Sequence, residues 1–438
     1  MSKYFTVLFC CFLLCGCATT SQKSGEKPAQ ITAYQYPINN PYVATIMGTP
    51  NELHQTYPDV PQTSVKNLVI FKDRKIPEGF WYQKEFRYGE ILQSHAAPLI
   101  YIIAGTGADY RSSYTRHLGE VFYNAGYHVV MLPSTTHPNF IITASENFIP
   151  GRPMQSAKDL YRVMKIIDAR VGKNVAITNR YLTGYSLGGT DAAFTAYLDE
   201  NEKALNFRKV MLIDPPYSLF TSIQKIDKML YSGLPGGLNG VDRFIDTEMA
   251  RLATASPTGD PFDFQNSKLL IKAYSDYPPG DERLATTIGL AFRLFAANMM
   301  FTSDVMARTG YIFPSNIEFT TGTSLNTYMT VALRTSLLNY FNDIYFKAYA
   351  ASNPELTRDA LVNETSLEYL APYLRNNPKF GMVANVDDVV LSPGEIDKLK
   401  SLFGNNATIY PNGGHLGNLM YPPVSNAILQ FIQAGEQK

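Results

Sequence analysis

The succession of apolar segments predicts an α/β protein with a doubly wound, mostly parallel sheet, interrupted once by a large, mainly helical insert. Three observations carry this. Short apolar runs rich in β-branched and aromatic residues alternate with stretches whose apolar residues recur every three and four positions. One run, Pro98–Ala104, is apolar almost throughout, the pattern of a strand covered on both faces. The alternation stops at Asp214-Pro215-Pro216 and resumes near Lys379.

In chain order, Asn67–Phe71, Gly79–Phe86, Pro98–Ala104 and Tyr127–Leu132 read as the first four strands. Between the third and fourth, Ser112–Gly126 has helical spacing at Leu118, Val121 and Phe122 and closes on a glycine stop. After Pro153, the residues Leu160, Val163, Met164, Ile166 and Ile167 mark a stronger helix. Arg180–Thr183 then reads as a strand, Leu187–Leu198 as a helix and Lys209–Ile213 as a strand, the alternation a doubly wound sheet requires. Residues 216–375 form the insert, helical in pattern and rich in Phe, Tyr, Leu and Met. It holds a glycine-rich turn over Gly233–Gly240 and the apolar segment Ile288–Phe301, which Arg293 breaks and which is too short to span a membrane. Its methionines and aromatics read first as ordinary helical core; the functional alternative is a cap lining an acyl pocket, since such side chains adapt to apolar ligands. Phe380–Val386, Gly394–Phe403, Thr408–Tyr410 and Ser425–Ala434 resume the pattern as strand, helix, strand and helix. The body therefore comprises residues 61–215 and 376–438.

Of 438 residues, 45% are apolar and 17% charged, which supports a large folded core and not a disordered chain. The 38 Lys and Arg balance the 38 Asp and Glu, which rules out a dominant basic footprint for nucleic acid. The four cysteines, Cys10, Cys11, Cys15 and Cys17, all lie at the N-terminal end, which excludes a disulfide scaffold, a thiolate metal site and a cysteine nucleophile from the body. Lys3 followed by the apolar Tyr4–Leu14 reads as an export signal. It ends in Leu14-Cys15-Gly16-Cys17, which resembles the bacterial lipobox. That resemblance implies a signal peptide over residues 1–16, a lipidated Cys17 and, with Ala18 next, an outer-membrane lipoprotein facing the periplasm. Residues 17–60 then comprise the lipidated end, a small polar tether and an irregular lead-in rich in Tyr, Pro and Asn.

Gly184-Tyr185-Ser186-Leu187-Gly188 fits G-x-S-x-G, placed where a strand turns into a helix opening with Gly189, Ala192 and Ala193. A nucleophilic serine needs such a turn to present its Oγ, and the flanking glycines let the backbone bend. With this motif in this context, the chain resembles the α/β-hydrolase superfamily from Asn67 to the C-terminus, outside the insert. The resemblance implies an α/β-hydrolase fold with a cap inserted after the strand that follows the nucleophile elbow. It also implies a triad in the chain order serine, acid, histidine. Ser186 is then the nucleophile. Of the six histidines only His415 follows it, in Asn412-Gly413-Gly414-His415-Leu416-Gly417, at the loop where the family keeps its general base. The acid falls in Val386-Asp387-Asp388-Val389-Val390-Leu391; the family register selects Asp388, with Asp387 a rival and Asp214 a third candidate. The oxyanion donors implied are the N–H of Leu187 and one from Ala104-Gly105-Thr106-Gly107-Ala108, Thr106 or the adjacent Gly107, although Ala104 stands where the family often has histidine. His137, after the fourth strand, either lines the pocket or serves the loop structurally. No metal spacing, dinucleotide fingerprint or phosphate loop occurs, so no cofactor is expected. The expected function is a lipid-anchored cell-envelope serine hydrolase that cleaves carboxylic esters of small molecules or lipids through an acyl-enzyme. An acyltransferase using the same triad, and a non-catalytic binding lipoprotein on the same fold, are the alternatives.

Overall fold

The computed structural model describes residues 34–234, 236–241, 243–244, 246–247, 250 and 280–435; the expected signal segment, Cys17 and the polar tether lie outside them. Among the described residues eight strands form one sheet: β1 Ser64–Leu68, β2 Phe86–Ile91, β3 Ala97–Ile103, β4 His128–Leu132, β5 Ile177–Tyr185, β6 Val210–Ile213, β7 Phe380–Asn385 and β8 Ala407–Tyr410. Their order across the sheet is β1-β2-β4-β3-β5-β6-β7-β8. β2 runs antiparallel to both neighbours and every other pairing is parallel. This is the α/β-hydrolase fold, with a helical insertion between β6 and β7.

The core lies on both faces of the sheet because the central strands are apolar on both sides. In β3, Tyr101 and Ile103 pack into a layer with the helices Pro153–Val171, Leu187–Glu202 and Glu395–Phe403, while Ile100 and Ile102 face Ser113–Asn124 and Pro422–Gln433. Period-two alternation of side chains makes one strand serve both layers.

Several segments depart from the sequence expectation. The first strand, expected over Asn67–Phe71, is shifted back to Ser64–Leu68. Gly79–Phe86 is not a strand: Glu78–Phe80 is a 3-10 turn, and β2 begins only at Phe86. The Gly79 N–H donates to the Phe319 carbonyl at 3.0 Å and the Phe80 ring packs edge-on against Phe319, 4.8 Å between centroids. Contact with the insert, not sheet pairing, thus claims these apolar residues. The lead-in, expected to be irregular, carries the helix Pro41–Met47. Asn40 caps it by accepting the Tyr42 and Val43 N–H groups, Pro41 opens it and Gly48, at φ 67°, ends it.

The insert is built on Leu219–Ser232, Asp281–Ala307 and Asn326–Arg334, followed by Leu337–Asn339, a π-helical turn over Tyr340–Tyr345 and the helix Phe346–Ser352. The helix Asp281–Ala307 runs unbroken through Arg293 for 27 residues. The segment Ile288–Phe301 is therefore part of a longer element, one long and apolar enough by length and composition to cross a membrane, although most of it is buried within the protein. Arg293 is 1% exposed. Its Nη2 donates to Asp227 Oδ1 at 2.6 Å and its Nη1 to the Leu333 carbonyl at 3.1 Å. The Asp227 carboxylate also accepts the N–H groups of Leu337 and Leu338. The charge that looks like an interruption in the sequence is the pin that joins three helices.

Candidate active site

β5 lies between β3 and β6 and ends at Tyr185, so Ser186 stands at the carboxyl edge of the sheet, where ligands approach α/β sheets. Ser186 has φ 54° and ψ −127°, a conformation that costs a non-glycine residue on the order of 1–3 kcal/mol. The surroundings hold it there. Its N–H donates to the Ile213 carbonyl at 2.8 Å. A Cβ at Gly184 would run into the Gly188 carbonyl, and one at Gly188 into the Ile103 carbonyl, so the bend admits no side chain on either flank.

The structure brings Ser186, His415 and Asp388 together. Ser186 Oγ is 3.0 Å from His415 Nε2, and His415 Nδ1 is 2.9 Å from Asp388 Oδ2. All three are buried. In the neutral imidazole whose Nδ1–H donates to Asp388, Nε2 turns its lone pair to the serine hydroxyl. Burial disfavours a charged imidazole, but the Asp388 charge and hydrogen bond outweigh it and hold the His415 pKa above its ordinary value. Asp388 is itself fixed by the Val390 N–H, which donates to Oδ1 at 2.8 Å.

The two rival acids also reach this loop, but at its backbone. Asp387 accepts the N–H groups of Gly413 and Gly414 at 3.3 and 2.9 Å. Asp214 accepts the Leu416 N–H at 3.1 Å; burial, reinforced by Asp388, pushes its carboxyl well above the usual range. Asn385 adds a brace that the sequence did not disclose: its Nδ2 donates to the Gly414 carbonyl at 2.9 Å and to Asn418 Oδ1 at 3.0 Å. No local pattern marks Asn385 or Asn418, because their partners are distant in sequence.

The N–H of Leu187 belongs to the first turn of Leu187–Glu202, where a helix has no internal acceptor for it. Thr106 lines the same cavity as Ser186. Gly107 is set apart from these donors: its N–H already donates to Thr136 Oγ1 at 2.9 Å, and its Cα lies beneath Phe295 of the insert. His137 lies off the cavity. It caps the short helix Pro138–Thr143 by accepting the Asn139 N–H on Nδ1, its Nε2 is 3.8 Å from Asp109, and burial pushes its pKa down to about 4.

Ser186 and His415 open into a cavity of about 120 Å³ between the sheet edge and the insert, walled by Leu219, Phe220, Ile223, Phe292, Met299 and Phe341 among others. Four of the hydroxyls in its lining are committed to backbone carbonyls. Tyr340 donates to the Pro150 carbonyl, Tyr345 to that of Gly151, Ser222 to Val390 and Thr365 to Val362. Apart from Ser186, His415, Thr106 and Thr136, the side chains that line it are apolar or have their hydroxyls bonded to backbone carbonyls.

No family model and no curated protein sequence matches the chain. Among solved structures it is similar to DcsB in complex with its substrate analogue, at 15% identity and TM-score 0.39 over 85% of this chain and 99% of that one. It is also similar to Est1E from Butyrivibrio proteoclasticus, at 11% identity and TM-score 0.36 over 81% of this chain and 96% of that one. A third, a membrane phospholipase A described as a bacterial virulence factor, shares 14% identity and a TM-score of 0.38 over 86% of this chain and 87% of that one. Likeness of this size assigns no activity to the chain.

Proposed function

We propose that this protein is a serine hydrolase that cleaves carboxylic esters of apolar acyl groups through an acyl-Ser186 intermediate. The observation that carries the reading is the hydrogen-bonded line from Ser186 Oγ through His415 to Asp388, opening into an apolar cavity. In the first step Ser186 Oγ attacks the ester carbonyl carbon while His415 Nε2 takes the hydroxyl proton. The oxyanion so formed is met by the N–H groups of Leu187 and Thr106. Collapse of this intermediate breaks the bond to the alcohol, which leaves with the proton from Nε2, and the acyl group stays on Ser186. Water, deprotonated by the same nitrogen, then releases the acid and restores the serine. Asp388 holds the imidazole tautomer and balances the imidazolium charge in both steps.

The same proposal places the protein on the bacterial cell envelope, held by lipid on Cys17 and facing the periplasm; the apolar segment and lipobox-like end support it. Multiple acyl chains give stable anchoring where one is marginal.

Labelling with a fluorophosphonate and turnover of short p-nitrophenyl esters test the enzyme. The native chain is expected to label and turn over, and Ser186→Ala to do neither; labelling that survives Ser186→Ala would end the reading. Incorporation of an alkynyl fatty acid in growing cells, lost in Cys17→Ser, tests the anchor separately.

A further inference from the structure

His415 is carried on a loop with glycines at 413, 414 and 417, a composition that leaves a free chain many conformations. A ring that must stand between two partners at hydrogen-bond distance needs its backbone held as well. Asp387, Asp214 and Asn385 hold it from the sheet side, and a second set of contacts comes from the far end of the chain. The His415 N–H donates to Thr45 Oγ1 at 2.9 Å, and that hydroxyl gives its own proton to the Pro41 carbonyl at 2.7 Å, so its lone pair is fixed toward the loop. Tyr36 and Thr49 each donate a hydroxyl to the Gly417 carbonyl at 2.9 Å. Asn412 Nδ2 donates to the Ile38 carbonyl at 3.0 Å, and the Tyr34 hydroxyl reaches the Asn412 carbonyl. The loop is therefore gripped before, at and after the histidine.

The loop glycines record how close this approach is. Gly414 has φ 59°, and a Cβ there would collide with the Pro41 carbonyl and Thr45 Oγ1. One at Gly417 would collide with the Ala44 carbonyl. The helix Pro41–Met47 thus lies backbone to backbone on the histidine loop, with Ala44 fully buried between them. Its other side belongs to the insert. Tyr42 and Ile46 pack with Ile226 and Ile288 of the insert and with Val389 and Val390 beside Asp388, and Asn40 Nδ2 donates to Asp281 Oδ1 at 2.7 Å.

From these contacts we infer that residues 34–49 are a positioning clasp for His415, and that Thr45 sets the height of the imidazole between Asp388 and Ser186. The inference rests on the hydrolase reading above. Thr45 touches no reacting atom; it acts through the main chain of the histidine, and a ring displaced by a fraction of an ångström loses its in-line contact with Ser186 while the acyl cavity is untouched.

The test uses the full chain and three variants, Thr45→Val, Thr45→Ser and Tyr36→Phe. Each is assayed with p-nitrophenyl butyrate across pH, for fluorophosphonate reaction rate and for thermal midpoint. Thr45→Val is expected to lower kcat by roughly 10- to 100-fold with KM within about two-fold. It should also move the acid limb of kcat/KM toward lower pH, because a displaced ring loses the Asp388 contact that raises its pKa. Thr45→Ser should return kcat to within about three-fold of native, and Tyr36→Phe should show the same signs with a smaller loss. A Thr45→Val loss that serine does not restore, an effect on KM alone, or an unmoved acid limb would overturn the clasp. Should Thr45→Val fail to fold, Tyr36→Phe decides by the same criteria. A native chain that labels beside variants equal to it sinks the clasp alone, whereas a native chain that does not label sinks the hydrolase reading and the clasp together.

Discussion

Three carboxyl groups touch the segment around His415, and their different partners give them different duties. Asp388 meets the ring, Asp387 the backbone before it and Asp214 the backbone after it. Asp388→Asn should lower kcat by on the order of 10⁴, as loss of the orienting carboxylate does in serine proteases, whereas Asp387→Asn, which leaves the ring contact in place, should cost about ten-fold or less. Steady-state kinetics on the two variants separate them. On the mechanism proposed above the base works as neutral imidazole, so kcat/KM should rise as pH passes upward through the His415 pKa. With that pKa raised by Asp388, the acid limb should lie above the ordinary histidine value of 6.5 and fall in Asp388→Asn, where burial is unopposed. A second buried acid governs stability. Among the described residues the Asp191 carboxylate accepts only the Thr135 hydroxyl, and burial raises its pKa to about 7. The folded state then binds a proton that the unfolded state has lost, so stability falls as pH climbs from about 4 to about 7. Asp191→Asn should raise the thermal midpoint at pH 8 and leave it nearly unchanged at pH 4. At this scale the serine was legible because its glycines and flanking strand are local, and the histidine because no other follows it. The choice between Asp387 and Asp388 was not, since neighbours in sequence differ only in the direction each side chain takes. Thr45 was invisible, its partner lying 370 positions away.

At the scale of elements, strands with both faces covered announce themselves, and β3, β4, β6 and β7 begin and end within a residue or two of their apolar runs. The signal failed where a distant segment competed for the same side chains. Gly79–Phe86 has strand-like composition, but Phe80 is taken up by Phe319, a pairing no window of the sequence contains. Pro41–Met47 had its signals in plain view, an asparagine cap, a proline at the first position and a glycine stop, masked by a surrounding region poor in periodic apolar residues. Arg293 was misread because a charge inside an apolar run looks like an end until its partner is known. Removing that partner is costly: Asp227→Ala should destabilise by about 3–5 kcal/mol, as breaking a buried ion pair does. The double variant Asp227→Leu with Arg293→Met should recover much of the loss, and thermal melts of the two proteins check it.

For the molecule as a whole, one sheet edge carries Ser186 and the insert walls the cavity above it, while the N-terminal segment packs against both the insert and the histidine loop. The walls decide what enters. Because the hydroxyls around the cavity are committed to backbone carbonyls, an acyl chain bearing its own hydroxyl would leave that group unpaired, at a cost of about 1–3 kcal/mol. Butanoyl and hexanoyl p-nitrophenyl esters should therefore be cleaved with kcat/KM well above that of their 3-hydroxy counterparts, and a preference for the hydroxylated series would contradict the apolar wall. The helix Asp281–Ala307 carries a further consequence that operates before any wall exists. On the export route proposed above, the chain meets the secretion channel unfolded, and this 27-residue stretch is long and apolar enough to slip sideways into lipid. An arginine near the centre of such a stretch opposes insertion by about 2.5–3.5 kcal/mol. Arg293 is thus a passport as well as a pin: with leucine in its place, the chain should lodge in the inner membrane, and fractionation of cells making Arg293→Leu would find it there.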